Sequence, residues 1–331
     1  MITISSIITG TGSFLPETRL TNQMLEEKVQ TNDAWIVQHT GIRERRIAVQ
    51  MSALELALSA AKRALQDAGK SPEDIDLIIA CTVTPDSFTP SLSCNLQAEL
   101  GASHAFAFDL SAACSGFVYA SDVADSFLRS GKAKCVLVVC AEVLSHLIDY
   151  TDRTVCCLFG DGAGAAVYEW SDGEDGILAT YMRADGTKGN ALLAKAFSPE
   201  NPLEAQRNTE YHHFLHMDGH AVFRFTARAV PDAIDGVLKQ AGMDISQIDW
   251  IVPHQANARI LEMVTRRYGL PREKVFSNLE VVGNTSSASI PICLDEMRQK
   301  GLLHHGQTAI FVGFGGGLTY GAVLILSLIH I

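Results

Sequence analysis

Cys114 is the strongest candidate for a nucleophile in this sequence of 331 residues. It lies in the segment FDLSAACSGF, where a short apolar strand ends in small residues and a helix is predicted to begin at Gly116. The thiolate of a cysteine at the start of a helix is favoured by the helix dipole and by free backbone N–H groups. Such a thiolate can attack an electrophilic carbon and form a covalent intermediate. The alternative is a buried structural cysteine, the role we assign to most of the other seven.

His254 and Asn284 are the candidates for hydrogen-bonding partners of that chemistry. His254 follows the predicted strand IDWIVP, and Asn284 lies in the turn VVGNTSSASIP ahead of a predicted helix. Histidine is the commonest general acid or base, and an asparagine amide can stabilise a developing negative charge. Both have structural alternatives, because many histidines are structural and an asparagine before Thr-Ser-Ser often caps a helix.

A glycine-rich run, GFGGGLTYG at residues 313–321, can bring backbone N–H groups close to a reacting carbonyl. It lacks the spacing of a nucleotide-binding loop, as does FGDGAGAA at residues 159–166. Together, a cysteine, a histidine, an asparagine and glycine-rich donors indicate acyl-thioester chemistry. The alternative from residue types alone is a cysteine hydrolase with a Cys-His-Asn triad.

Two sets of arginines can each share one helix face. Arg224 and Arg228 are four residues apart, and Arg259 is followed by Arg266 and Arg267. On a protein of formal net charge −11, these faces are either a docking site for an anionic partner or solvated surface. The same acidic balance argues against nucleic acid as a partner.

An internal repeat shows how these residues are positioned. Residues 64–79, ALQDAGKSPEDIDLII, are repeated 173 positions later as VLKQAGMDISQIDWIV at residues 237–252. Apolar strands at residues 134–141 and 308–313, with helices at residues 52–68 and 221–241, predict two similar α/β halves whose sheets are covered by helices. We predict an N-terminal half at residues 1–172 with the cysteine and a C-terminal half at residues 173–331 with the histidine and asparagine.

In this arrangement His254 occupies the place of Cys81 in the first repeat, and Asn284 lies roughly where Cys114 lies in the first half. The two turns are therefore expected to face each other where the halves meet.

Composition supports a globular protein of the reducing cytoplasm. The chain is 47% hydrophobic, its eight cysteines lack metal-ligand spacing, and its N-terminus lacks a signal-peptide pattern. Residues 309–329 carry no charge over the length of a membrane span, but their glycines favour two buried strands joined by a turn. We therefore expect no membrane segment and no bound metal.

Six ordered motifs carry a family resemblance. They are TNDAWIVQHTGIRERRIA, SAACSGF, DRTVCCLFGDGAGAAV, VPHQANARI, GNTSSASIP and FGGGLTYGAV. Over residues 4–326 the chain resembles β-ketoacyl-ACP synthase III, the initiating condensing enzyme of type II fatty acid synthesis. The resemblance implies a duplicated thiolase-like fold, a homodimer, and an acyltransferase that condenses an acyl-CoA primer with malonyl-ACP to give β-ketoacyl-ACP, CoA and CO2. It implies no cofactor.

The resemblance also implies roles for individual residues. Cys114 would carry the acyl group, and His254 and Asn284 would hold the malonyl thioester during decarboxylation. The backbone N–H groups of Cys114 and Gly316 would form the oxyanion hole. The remaining implied contacts are Trp35 and Arg153 around the CoA adenine; Met217, Gly219, Phe223, Ala256 and Asn257 along the pantetheine channel; and Arg224, Arg259, Arg266 and Arg267 at the face that meets acidic ACP.

Three positions depart from the family pattern. His39 stands where many relatives have an arginine near the CoA phosphates, which predicts weaker or pH-dependent CoA binding. Thr89 stands where some relatives have an aromatic gate to the partner subunit's acyl pocket, which predicts primers longer or more branched than acetyl. The tail SLIHI at residues 327–331 extends past the usual end. Two alternative functions stay open, a related condensing enzyme or acyltransferase of polyketide or quinolone synthesis and a non-catalytic scaffold.

Overall fold

The computed structural model describes residues 5–173, 175–196 and 214–327. The strands are β1 (Ser5–Phe14), β2 (Arg19–Thr21), β3 (Glu44–Arg46), β4 (Leu77–Cys81), β5 (Phe106–Leu110), β6 (Cys135–Glu142), β7 (Gly162–Ser171), β8 (Gly176–Ala184), β9 (Leu192–Leu193), β10 (His216–Met217), β11 (Trp250–Pro253), β12 (Thr308–Gly315) and β13 (Thr319–Leu326). The helices are α1 (Asn22–Glu26), α2 (Asp33–Thr40), α3 (Ala53–Ala68), α4 (Leu92–Leu100), α5 (Gly116–Arg129), α6 (Arg153–Cys156), α7 (Gly219–Ala241), α8 (Ala258–Tyr268), α9 (Leu279–Val282) and α10 (Ser289–Gln299).

Two main sheets share one topology. The first has the order β1-β7-β6-β4-β5 and the second the order β8-β13-β12-β11. In both, the first three strands pair antiparallel and the next pairing is parallel. Strand β12 begins and ends 173 residues after β6, the spacing of the sequence repeat. The predicted duplication of an α/β unit is therefore confirmed. Strand β5, at the edge of the first sheet, has no counterpart in the second.

The helices form three layers around these sheets. Helices α5 and α10 pack between the sheets, where they share one apolar core with both inner faces. Helix α3 covers the outer face of the first sheet, and α7 and α8 cover the outer face of the second. The active-site turns predicted from the sequence precede α5 and α10, so they lie at the central layer.

Local sequence explains the helix ends. Ser52 and Glu55 form a capping box at the start of α3, and Gly69 ends that helix in the left-handed conformation. Gly242, 173 residues later, ends α7 in the same way. Gly12 lets β1 approach α3 closely, because a Cβ there would lie 2.4 Å from the backbone nitrogen of Ala64.

Helix α8 begins two residues later than residue 256, where the sequence placed its start, because the Asn257 side chain accepts a hydrogen bond from the Arg259 N–H and caps the helix. The strands of the first sheet come from residues 5–171 and those of the second from residues 176–326, while the division at residues 172 and 173 stays a prediction. No helix among the described residues has both the length and the apolar composition needed to cross a membrane. Residues 328–331 of the tail lie outside the described residues.

Candidate active site

Cys114 lies in a strained turn between β5 and α5. The turn spans Ala113–Ser115, and helix α5 begins two residues beyond the cysteine. Ala113 has a φ of 46°, a left-handed conformation that a residue with a side chain rarely adopts. The packing between the two sheets holds this turn and buries Cys114, which is 6% exposed.

A second turn of the same kind meets the first. It spans Ser286–Ala288 ahead of α10, and Ser286, 173 residues after Ala113, has a φ of 49°. The Ser286 Oγ lies 3.5 Å from the Cys114 Sγ. The two turns that the repeat predicted to face each other are therefore in contact.

His254 is held in one orientation beside this contact. Its backbone follows β11 and donates to the Val312 carbonyl at 2.8 Å, and its Nδ1 lies 2.7 Å from the Ser289 Oγ. The Ser289 oxygen accepts from the Gln255 N–H at 3.4 Å, so its hydroxyl is free to donate to Nδ1. The ring hydrogen then resides on Nε2. Burial lowers the pKa of His254 to about 3, so the ring is neutral near pH 7.

Asn284 is fixed through its backbone and through its side-chain oxygen. Its N–H donates to the Leu158 carbonyl and its carbonyl accepts from the Gly160 N–H, both at 2.9 Å. Its Oδ1 accepts from the Ser286 N–H at 2.9 Å, the capping role anticipated as an alternative. The Nδ2 group makes no hydrogen bond to the described residues and remains available as a donor.

Cys114, His254 and Asn284 line one narrow cavity of about 130 Å³. All five residues expected along the pantetheine channel line the same cavity: Met217, Gly219, Phe223, Ala256 and Asn257. The cavity therefore joins the reactive groups to a mostly apolar passage.

A second, wider cavity of about 710 Å³ is also lined by Cys114. Apolar side chains contribute to its wall, including Leu144, Leu147 and Phe88. Phe88 is 68% exposed. Thr89, the expected gate residue, lines neither cavity.

The electrostatics of Cys114 differ from the sequence-based expectation. Burial raises the pKa of the thiol to about 12, against the expected effect of the helix start. Hydrogen bonds from Ser286 and from the backbone groups of Cys114 and Gly316 lower this pKa only in part. Gly315 allows this close approach, because a Cβ there would lie 2.6 Å from the Cys114 Cβ.

Trp35 and Arg153 lie together away from the two cavities. The Arg153 guanidinium lies 4.8 Å from the centre of the indole ring. An intervening aromatic ring needs about 3.5–4 Å on each side, so an adenine between the two groups requires them to separate. His39 stacks on Trp35 with ring centres 4.3 Å apart, and its Nδ1 lies 2.7 Å from the Trp35 carbonyl oxygen.

The structure brings together three of the four arginines expected at the basic face. Arg259, Arg266 and Arg267 line one surface depression with Phe223, which also lines the narrow cavity. Arg266 forms an ion pair with Glu262 at 3.6 Å, whereas Arg259 forms none with the described residues. Arg224 does not line this depression.

Sequence reasoning did not identify the residues that support the reactive groups. Ser286 and Ser289 contact Cys114 and His254, and both lie in the quoted motif GNTSSASIP, so the motif was a usable signal. Phe314 packs edge-on against His254 with ring centres 5.1 Å apart. Glu142, at the end of a buried strand, gave no signal of its own. Among the described residues, no cluster of His, Cys, Asp or Glu has the arrangement of a metal site.

Comparisons with known proteins agree with this geometry. The family model of 3-oxoacyl-[acyl-carrier-protein (ACP)] synthase III matches residues 108–186, and that of its C-terminal part matches residues 238–326. β-Ketoacyl-[acyl-carrier-protein] synthase III of Clostridium acetobutylicum is 44% identical over 318 residues, which cover 96% of this chain and 97% of that protein.

Solved structures show the same fold. The crystal structure of 3-oxoacyl-[acyl-carrier-protein] synthase III from Aquifex aeolicus superposes with a TM-score of 0.91 at 44% identity, over 97% of this chain and 99% of that one. The priming β-ketosynthase of the R1128 polyketide pathway gives a TM-score of 0.90 at 38% identity, over 98% and 97%. The predicted family and its thiolase-like fold are confirmed, and the chain belongs to the β-ketoacyl-[acyl-carrier-protein] synthase III family.

Proposed function

We propose that Cys114, His254 and Asn284 carry out the decarboxylative condensation of an acyl-CoA primer with malonyl-ACP, which initiates fatty acid synthesis. The chain is an acyltransferase of the synthase III type. The observation that carries the assignment of these residues is their convergence on one narrow cavity from two turns related by the internal repeat.

In the first half-reaction, Cys114 attacks the thioester carbon of acyl-CoA and releases CoA. The carbonyl oxygen becomes negatively charged as the bond forms. The backbone N–H groups of Cys114 and Gly316, which already hydrogen-bond the sulphur, are placed to receive that charge. The acyl chain then extends into the wider cavity, whose wall includes apolar side chains.

In the second half-reaction, His254 and Asn284 bind the thioester carbonyl of malonyl-ACP. The Nε2–H of neutral His254 and the Nδ2 of Asn284 both donate to that oxygen. Loss of CO2 leaves an enolate, which these two donors stabilise. The enolate carbon attacks the acyl-Cys114 thioester and gives β-ketoacyl-ACP. This chemistry requires stabilisation of negative charge rather than a strong base, a metal or a redox cofactor.

The pantetheine arm of each substrate enters along the residues that share the narrow cavity with Cys114, and the CoA adenine binds where Trp35 and Arg153 separate. His39 supports the indole by stacking on it and by its contact with the Trp35 carbonyl. This chain therefore holds its adenine site with an imidazole where many relatives have a guanidinium.

Mass spectrometry of the intact protein tests the assigned function. After incubation with a panel of acyl-CoAs, one acyl adduct is expected on Cys114, and malonyl-ACP should discharge it as a β-ketoacyl product. Discharge by water alone would indicate a hydrolase, and discharge only by another acceptor would indicate a specialised acyltransferase. The absence of an adduct with every primer would favour a scaffold.

We also propose a homodimer that works in the cytoplasm. Strand β5 is the open edge of the first sheet, and Phe106 on it is 44% exposed. An exposed apolar edge strand is usually covered by a partner. The eight free cysteines suit a reducing compartment.

The preferred primer follows from Thr89 if its loop reaches the partner's acyl pocket. A threonine leaves more room there than an aromatic gate. We expect kcat/KM to be higher for branched or longer acyl-CoAs than for acetyl-CoA, and Thr89→Phe to shift the preference toward acetyl. A sharp acetyl preference in the unaltered enzyme would contradict this proposal.

Arg259 is proposed to contact ACP, because it lies beside the mouth of the narrow cavity and forms no ion pair with the described residues. Arg259→Glu is expected to raise KM for malonyl-ACP about tenfold or more and to leave KM for acyl-CoA nearly unchanged. Lys62→Glu, the same charge change on the exposed face of α3, is the control. Equal effects on both substrates would exclude a docking role.

A further inference from the structure

Glu142 is a buried carboxyl group that the condensation described above leaves unused. It is the last residue of β6 and is fully buried. Its Oε2 accepts from the Val83 N–H at 3.0 Å and from the Thr84 hydroxyl at 2.9 Å, and its Oε1 accepts from the Ser287 hydroxyl at 2.6 Å. It forms no ion pair with the described residues. A buried carboxylate without a cation needs such donors to remain ionised.

Ser286 connects this carboxyl group to the nucleophile. The Cys114 thiol donates to the Ser286 Oγ at 3.5 Å. The Ser286 hydroxyl in turn hydrogen-bonds Glu142 and lowers the pKa of its carboxyl group. A continuous path from thiol to hydroxyl to carboxylate therefore exists in the structure.

The charges along this path disfavour two anions at once. Burial raises the pKa of both Cys114 and Glu142, and the negative charge of Glu142 raises that of Cys114 further. If the thiol proton moves to the carboxylate, the site keeps one negative charge and the two anions never coexist. His254, with a pKa of about 3, is a poor acceptor for the same proton.

We propose that Glu142 receives the proton of Cys114 through the Ser286 hydroxyl and holds it while the acyl group is on the sulphur. The inference rests on the proposed role of Cys114 as nucleophile. Glu142 does not touch the substrate and acts through Ser286, so it is a positioning residue that determines where the proton resides.

The proton balance over the two half-reactions is defined. The Cys114 sulphur forms its bond to the acyl carbon, the bond from that carbon to the CoA sulphur breaks, and the CoA thiolate takes a proton from solvent. During condensation the bond from the acyl carbon to the Cys114 sulphur breaks, and the departing thiolate recovers its proton from Glu142. Each acylation therefore takes up one proton from solution near pH 7, where the CoA thiol is protonated.

The titratable groups around Glu142 are thiols. Cys114 faces it from the turn before α5, and Cys140 faces it from β6. Cys81, on the neighbouring strand β4, is paired in register with Cys140. Burial raises the pKa of Cys140 well above its usual value, so this thiol stays neutral near pH 7.

Alkylation of Cys114 by iodoacetamide tests the path without any acyl substrate, and peptide mass spectrometry follows the residue by itself. Glu142→Gln is expected to slow alkylation about 100-fold at pH 7, with a rate that then rises about tenfold per pH unit. Asp295→Asn, which removes another buried carboxylate hydrogen-bonded to hydroxyl groups, is the control and should not change the rate.

The alternatives predict different results. If Glu142 acts only by its charge, Glu142→Gln lowers the thiol pKa and speeds alkylation. If it only supports the fold, the pH profile keeps its shape. Either result would overturn the proposal, and neither depends on condensing activity.

Proton uptake during acylation provides the second test. In weakly buffered solution with a pH indicator at pH 7, the unaltered enzyme should take up one proton per acyl-enzyme formed. Glu142→Gln and Ser286→Ala, followed to complete acylation, should take up none. Absence of uptake by the unaltered enzyme would refute the proposal even if neither variant folds.

Discussion

Cys114→Ala is expected to abolish condensation, by about 10⁴-fold or more, while malonyl-ACP decarboxylation continues. The covalent acyl intermediate forms on the Cys114 sulphur, so its removal leaves the enolate without an acceptor. The two donors that stabilise the enolate, His254 and Asn284, are attached to the other half of the fold and keep their own hydrogen bonds. Release of CO2 from labelled malonyl-ACP, measured beside β-ketoacyl product, checks both expectations.

Cys94→Ala is the matched control for this variant, because Cys94 is the exposed cysteine of the chain and lies on α4. It should retain both activities. Loss of decarboxylation in a folded Cys114→Ala protein would contradict the separation of roles, since it would mean that the sulphur also supports the enolate.

His254→Ala is expected to reduce malonyl-ACP decarboxylation by about 10²–10³-fold, the usual loss when one donor to a developing oxyanion is removed. Acylation of Cys114 by acyl-CoA should continue, because its oxyanion hole consists of backbone N–H groups. The measurement compares CO2 release with the acyl adduct seen in the intact protein. His104→Ala, at an exposed histidine, is the control and should change neither.

The pH dependence of this step adds a separate check on His254. Its pKa of about 3 is below the unfolded value, so the ring is neutral throughout pH 5–8. Protonation of His254 should therefore not reduce decarboxylation anywhere in that range. The same sign applies to stability: unfolding lets the ring bind a proton below about pH 6.5, so this group destabilises the fold as pH falls from 6.5 toward 3. A decarboxylation rate that falls with a midpoint near pH 6.5 and is lost with His254 would contradict the buried, neutral imidazole.

Much of the fold could be predicted from local pattern. The capping box at Ser52, the stop signals at Gly69 and Gly242 and the repeat of 173 residues gave two α/β halves, because capping and strand periodicity depend on neighbouring residues. The start of α8 was displaced by two residues because the Asn257 side chain caps the helix.

The candidate site was only partly predictable, because its supporting contacts cross between the two halves. Ser286 and Cys114 are 172 positions apart, and Ser287 and Glu142 are 145 apart. No local spacing links such residues. The motif around Asn284 contained the serines that matter, but only the contact of the two turns shows which serine meets the thiol.

The sequence by itself determined which chemistry is available: a cysteine, a histidine and an asparagine, each at the end of a strand or the start of a helix in a duplicated chain. The tertiary structure decided their protonation states and neighbours. Packing α5 and α10 between two sheets removes water from Cys114, Glu142 and His254 together. Because burial disfavours the charged form of every group, this packing raises the pKa of the thiol and the carboxyl group and lowers that of the imidazole, which the order of residues along the chain does not specify.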